Sequence, residues 1–341
     1  MHTIGIYSSM IQGLADSREA LSVIKGSGLL SGIETTEIAG TPEKIRNAGL
    51  KYSIHDPHLD GMNNLANPEL PELFRSGDDA GLLHGIRAAD APVIGFHCGF
   101  AAAKVFKMKA FSDIPVFGTL YTVESDLYDQ MMINLAALEE IINGPLPVYQ
   151  WKCILIESMD YIRPLPVDWS IQSDEVIRNR KVIEETIHKI GVNAGYRFVH
   201  KPSFLRSLLH PSNQRPVPNT GFLWDISHNF ITADSKIAEG SFAGTIEDYF
   251  EEVLKAVGTK TMQIHVNVPS GDSKSGYLDH HLPFKKKDAL SDRILELTRF
   301  VVKNAPELKV ITLEISGGPD PVIFARDMAL QAKYFVQQVF E

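Results

Sequence analysis

The stretch FLWDISHNF, residues 222–230, carries three apolar side chains and then presents Asp225 and His228 with only Ile226 and Ser227 between them. In a continuous strand, side chains three apart point to opposite faces, so one polar group would be driven to the wrong side of a sheet. The pattern makes sense if the strand stops at Asp225 and the chain curls, so that both groups aim at a common object above the sheet. The fold class then depends on whether the rest of the chain repeats this strand-then-turn pattern.

It does so in a regular alternation. Short β-rich runs fall at TIGIYSS (3–9), GIETTEI (32–38), KYSIHD (51–56), PVIGFHC (92–98), KCILIES (152–158), GFLWDIS (221–227), MQIHVNV (262–268) and KVITLEIS (309–316). Between them lie amphipathic stretches at 125–143, 173–191, 245–258 and 291–305, several opening with Ser-Asp or Thr-x-Glu as helix starts do. Strand, helix, strand, helix implies parallel pairing. Eight strands close a barrel, and 341 residues suit one elaborated (β/α)8 domain spanning 1–341, since such barrels take about 250 residues or more. The rival is a doubly wound open sheet. No G-x-G-x-x-G follows the first strand and no G-x-x-x-x-G-K-[ST] occurs, so the nucleotide-binding versions of that rival lose support. The expected fold is therefore an α/β TIM barrel with long insertions after strand four (99–124) and before strand six (192–219).

Polar residues gather at the ends of these strands. Strand three gives His55, with His58 just beyond; strand four gives His97; strand five gives Glu157; strand six gives Asp225 and His228. Strand seven gives His265, strand eight gives Glu314, and the loop GYLDHHLPF after strand seven adds Asp279, His280 and His281. A barrel does its chemistry at the C-terminal ends of its strands. A lone histidine at a strand end is most often a hydrogen-bonded core or rim residue, and a lone buried carboxylate is costly unless it is paired or coordinated. Accidents would scatter over both ends of the barrel, whereas these groups collect at one. Imidazoles and carboxylates without a thiolate suit Zn²⁺, Mn²⁺, Fe²⁺ or Co²⁺ better than Ca²⁺ or Mg²⁺.

This arrangement resembles the xylose isomerase-like barrels and, within them, the endonuclease IV family, whose members are metal-dependent enzymes that cut DNA at abasic sites. The likeness runs from His55 to Glu314, and its more specific parts are the Asp-x-x-His of strand six and the Asp-x-His after strand seven. It implies one metal on His55, His97 and Glu157, and a second sharing Glu157 and adding Asp225, His265 and Glu314. A third would take His228, Asp279 and His281. The residues expected to face substrate differ, reading HDPHLDG, ESMDYI and HVNVPSG where that family has Ala-Pro-Tyr, Asn-Thr-Ala-Gly and Leu-Asn-Asp-Ser-Lys runs. A related group of multinuclear iron enzymes that oxidise peptide cysteines resembles the same ligand set but tends to have Asn at the place of His228.

These features give a main expectation and two alternatives. The main one is a multimetal hydrolase of a phosphoester or phosphorylated sugar, using two or three divalent ions (Zn, Mn or Fe), with Glu157, Glu314 and His58 as candidate catalytic groups. The first alternative is a sugar isomerase or epimerase with one divalent metal on Glu157, Asp225, His265 and Glu314 and a carboxylate moving a proton between carbons. The second is a multinuclear iron oxidase or a non-catalytic metal scaffold.

The remaining features set the surroundings. Formal charge is −9, from 33 Lys+Arg against 42 Asp+Glu, which disfavours nucleic-acid binding over the whole surface and leaves a small-molecule partner as the expectation. KKKD at 285–288 and the acid-free window 186–224 are basic, and each reads first as a solvated face. No segment has the length and apolarity of a membrane helix, and Cys98 and Cys153 fit buried core positions in a reducing compartment, so a cytoplasmic protein is expected.

Overall fold

The computed structural model describes residues 4–36, 41–56, 64–76, 83, 86–87, 90–107, 115–144, 152–163, 195, 198–211, 219–274 and 276–341. Eight parallel strands close into a barrel: β1 (Gly5–Ser8), β2 (Gly32–Thr35), β3 (Lys51–His55), β4 (Val93–His97), β7 (Cys153–Glu157), β8 (Thr220–Asp225), β9 (Thr261–Val266) and β12 (Val310–Leu313). Each pairs with its neighbour in chain order, and β12 closes on β1 with Gly5 opposite Val310. All eight runs read from the sequence are barrel strands.

Two antiparallel pairs interrupt the alternation. After the fourth barrel strand come β5 (Val105–Lys107) and β6 (Pro115–Phe117). After the seventh come β10 (Val268–Asp272) and β11 (Gly276–Leu282), a hairpin where the sequence reading has only a loop. The described helices are α1 (Arg18–Gly26), α2 (Thr41–Asn47), α3 (Leu70–Ser76), α4 (Glu124–Asn143), α5 (Pro202–Leu209), α6 (Ile226–Ala238), α7 (Ile246–Val257), α8 (Ala289–Asn304) and α9 (Pro321–Val339). Three of the helical stretches read from the sequence correspond to α4, α7 and α8, while 173–191 lies outside the described residues. Local chemistry fixes several starts: Thr245 and Asp248 form a reciprocal capping box on α7, and Asp288 caps α8 through the Ser291 amide. The KKKD run ends in that cap, with Lys285, Lys286 and Lys287 exposed.

Alternation along the strands sorts side chains between two cores. On β8, Phe222 and Trp224 point outward to the helix layer, where Trp224 stacks on Phe250 of α7 at 5.6 Å between ring centres. Leu223 points inward and joins Tyr7, Val93, Cys153, Leu155 and Val310 in a smaller apolar plug filling the lower barrel. Continuing the inward alternation toward the C-terminal end, two residues on stand Gly95, Glu157 and Asp225, and two further along β4 stands His97. The strand period thus lifts polar side chains above a dry floor. Cys98 and Cys153 are buried thiols whose pKa values burial raises to about 12 and about 11, with charged neighbours adding smaller effects at Cys153, so neither is a reactive thiolate.

Candidate metal centre

Strand β8 ends at Asp225, and the chain turns directly into α6. Asp225 is the N-cap of that helix: its Oδ1 accepts a 2.6 Å hydrogen bond from the amide of His228. Its Oδ2 is buried and has no hydrogen-bond partner. The turn inferred from FLWDISHNF is therefore a strand-to-helix cap, and it leaves one carboxylate oxygen and the His228 ring facing the barrel mouth.

Glu157 sits at the centre of the mouth, 1% exposed, with its two oxygens turned toward different groups. Its Oε2 lies 3.2 Å from His55 Nε2 and 3.4 Å from His97 Nε2, and those two nitrogens are 3.3 Å apart. Its Oε1 lies 3.4 Å from His228 Nδ1 and 3.7 Å from His265 Nδ1. His265 Nδ1 is also 3.0 Å from Glu314 Oε2, and Asp225, His265 and Glu314 have ligand atoms close enough to share one ion. A further group joins His228 Nε2 to Asp279 Oδ2 at 3.2 Å and His281 Nε2 to the same oxygen at 2.5 Å. All nine candidate ligands thus converge at one end of the barrel. His58 lies outside the described residues. His280 is exposed and meets Ser270 Oγ at 2.8 Å, away from the cluster.

The hairpin β10–β11 carries Asp279 and His281 back over the mouth. His281 adopts φ 49°, a left-handed conformation that costs energy for a side chain with a Cβ, and its carbonyl is pinned by the Ser316 amide at 2.8 Å. Asp56, just past β3, is also left-handed at φ 40° and places Oδ2 3.2 Å from His97 Nδ1. Two of the three left-handed non-glycine residues described thus lie at the mouth, the third being the exposed Lys287 before α8.

Charge in this cluster is strongly frustrated without cations. Burial raises the Asp225 pKa to about 7, opposed by His228 and reinforced by Asp279, Glu157 and Glu314. Burial works against protonation of His97 and His281, yet Asp56 and Glu157 around the first, and Glu314 and Asp279 around the second, raise both to about 9. His228 is held well above its ordinary range against burial by Asp225 and Asp279. Burial also opposes ionisation of Glu314, but His265 and His281 outweigh it and hold its carboxyl well below the usual range. Glu157 Oε1 and Oε2, Asp225 Oδ2, His265 Nδ1, Asp279 Oδ1 and His55 Nδ1 are buried without hydrogen-bond partners. Buried carboxylates and ring nitrogens left this way cost free energy that a coordinated cation recovers, so the residues present fit divalent ions.

Two polar residues behind the cluster, Glu34 and Asp56, were not among the sequence candidates. Glu34 is the penultimate residue of β2, but the run GIETTEI (32–38) read from the sequence extends past it and places it mid-strand, so a reading confined to strand ends passes over it. Its one sequence signal is a charged residue inside a β-rich run.

No protein-family model matches the chain, and no curated protein matches it in sequence. Among solved structures it is similar to a D-tagatose 3-epimerase-like protein (15% identity, TM-score 0.50, covering 98% of this chain and 99% of that one). It is similar to a D-psicose 3-epimerase solved in the presence of D-fructose (11%, 0.50, 98% and 99%). It is also similar to a xylose isomerase-like TIM barrel protein from Mycobacterium smegmatis in complex with magnesium (12%, 0.50, 99% and 97%). Likeness at these identities is a likeness of architecture, and the chain has the xylose isomerase-like TIM-barrel fold.

Proposed function

We propose that the protein is a divalent-metal enzyme that isomerises or epimerises a small sugar. One observation carries this reading: Glu157, Asp225 and His265 converge at the mouth with unpartnered buried atoms, and Glu314 joins Asp225 and His265 from the edge of a cavity of about 260 Å³. That volume is below the ~300–1,000 Å³ of pockets for drug-sized ligands, which suits a single sugar. Two of the structures it is similar to are a sugar 3-epimerase and a protein like one, which supports the same choice.

A divalent ion held by these four groups supplies Lewis-acid polarisation of adjacent substrate oxygens. The protein's own residues do the rest. Glu314, 21% exposed and lining the cavity, is the carboxylate placed to take a proton from a substrate carbon and return it. Glu157, almost wholly buried, orients the surrounding imidazoles. Ser9, Thr35, Thr36 and Ser316 line the cavity, a polar wall of the kind that binds sugar hydroxyls. The nitrogen and oxygen donors suit Zn²⁺, Mn²⁺ or Fe²⁺.

The alternative, a multimetal hydrolase of a phosphoester, is favoured by a different observation. Glu157 turns one oxygen to His55 and His97 and the other to His228 and His265, the posture of a carboxylate shared between ions, and His228, Asp279 and His281 form a further ligand group. Elemental analysis of chelator-free protein, with a screen of ketoses and phosphoesters under added Mg²⁺, Mn²⁺, Fe²⁺ and Zn²⁺, separates the two. Ketose conversion is expected. Phosphoester turnover without ketose conversion, in protein holding more than one ion per chain, would reverse the choice.

A further inference from the structure

A buried carboxylate lies behind the metal-facing imidazole of β9. Glu34, 5% exposed on β2, reaches across the barrel interior and places Oε1 2.7 Å from His265 Nε2. Its other oxygen, Oε2, accepts from the side-chain amide of Gln263, which also donates to Thr312 Oγ1 at 3.1 Å. Glu34, Gln263 and Thr312 come from three different strands, and Gln263, His265 and Thr312 are wholly buried.

A carboxylate here has a steep cost unless its neighbours use it. The arrangement uses both oxygens, one on the imidazole and one on an amide that is itself held by a hydroxyl. The consequence falls on the opposite ring nitrogen. With Nε2 donating to Glu34, Nδ1 is the nitrogen turned toward Glu157 and Glu314, at 3.7 and 3.0 Å, and the one that offers a lone pair when an incoming cation displaces its proton. Ring rotation and the alternative tautomer are both disfavoured, since either would leave Glu34 facing a group that cannot donate.

We propose that Glu34 is a positioning residue for the metal centre: through its hydrogen bond to His265 Nε2, and braced by Gln263 and Thr312, it fixes the ring and tautomer that present Nδ1 to the ion. This rests on the reading that Asp225, His265 and Glu314 hold a divalent ion. Carboxylates in this relation to a metal-bound imidazole orient it and raise its basicity.

The test uses Co²⁺ with the full chain, reading affinity by chelator competition and geometry from the visible ligand-field bands. Glu34→Gln keeps an oxygen acceptor without the charge, and Glu34→Ala keeps neither. Glu34→Ala is expected to weaken Co²⁺ binding by about 10–100-fold and displace the bands, with far-UV circular dichroism unchanged and partial recovery in Glu34→Gln. A folded Glu34→Ala variant with the parent's affinity and bands overturns the proposal. Should Glu34→Ala not fold, Glu34→Gln binding Co²⁺ as the parent does overturns it alone. A parent that binds Co²⁺, is weakened by these changes and converts no ketose refutes the isomerase reading while supporting the role of Glu34. A parent that takes up no Co²⁺ refutes both.

Discussion

Asp225 caps the helix that carries His228, so one carboxylate serves two purposes: Oδ1 holds the His228 amide at 2.6 Å while Oδ2 faces the mouth without a partner. The two purposes separate by substitution. Asp225→Asn retains a capping oxygen and loses the charge, whereas Asp225→Ala loses both and about 1 kcal/mol of helix capping. Both variants are expected to lose ion binding, with only the Ala variant losing the cap. In metal-free protein the folded-state pKa of about 7 exceeds the ordinary 3.8, so the folded state binds this proton more tightly than the unfolded state. This group therefore erodes stability as pH rises from about 4 to about 7. Thermal midpoints of the metal-free Asn variant should fall less over that range than the parent's. Identical pH dependence would show that Asp225 carries no such strain.

Glu157 and Glu314 are expected to fail in different ways. Glu157 meets four imidazoles and is buried, so Glu157→Gln should lose ion uptake and turnover together while the barrel stays folded. Glu314 both holds the ion and moves the proton, so Glu314→Gln should weaken ion binding and, at saturating ion, still lower kcat by about 10²–10⁴-fold. Ion content and kcat measured on both variants check this. Retention of a full ion complement by Glu157→Gln would remove that residue from the ligand set.

Metal binding should release protons. His97 and His281, each raised to about 9 in the metal-free protein, are mostly protonated at pH 7, and a coordinating nitrogen must give up its proton. Apparent affinity should therefore climb with pH from about 6 to about 9 and level above it. Calorimetry of Zn²⁺ binding in buffers of different ionisation enthalpy counts the protons directly. A flat affinity over this range would place both imidazoles outside the coordination.

The features legible in the sequence share a physical reason. Phe222, Leu223 and Trp224 announce a strand by bulk alone, and Asp225 followed by His228 announces a turn because the strand period forbids them a common face. Strand ends are local, so their residues can be gathered without coordinates. Glu34 escapes that logic, since its use depends on reaching across the barrel to Gln263 and His265 on β9, a strand separated from β2 by most of the chain. Asp56 escapes it as well: its left-handed backbone is set by the mouth, and nothing in HDPH announces it. The hairpin holding Asp279 and His281 is hidden because those two side chains interrupt the alternation that would mark a strand.

Gly95 offers a test of how tightly the mouth is built. It pairs with His55 across β3 and β4, and a Cβ at this position would stand 2.5 Å from His55 Nδ1 and 2.8 Å from Leu223 Cδ1. The ring cannot yield freely, because its Nε2 is set among His97 and Glu157 within 3.3 Å. Gly95→Ala therefore has to displace His55 or push Leu223 into the apolar plug, an overpacking that costs about 1–3 kcal/mol. Displacing the ring weakens ion binding on the His55, His97 and Glu157 side, and it also presses on His265, whose ring centre lies 4.7 Å from that of His55. The expected outcome is a lower ion content or affinity together with a reduced thermal midpoint, measured by Co²⁺ titration and calorimetric melting. A variant that melts lower but titrates like the parent would mean that Leu223 alone moves and that the mouth tolerates the added methyl.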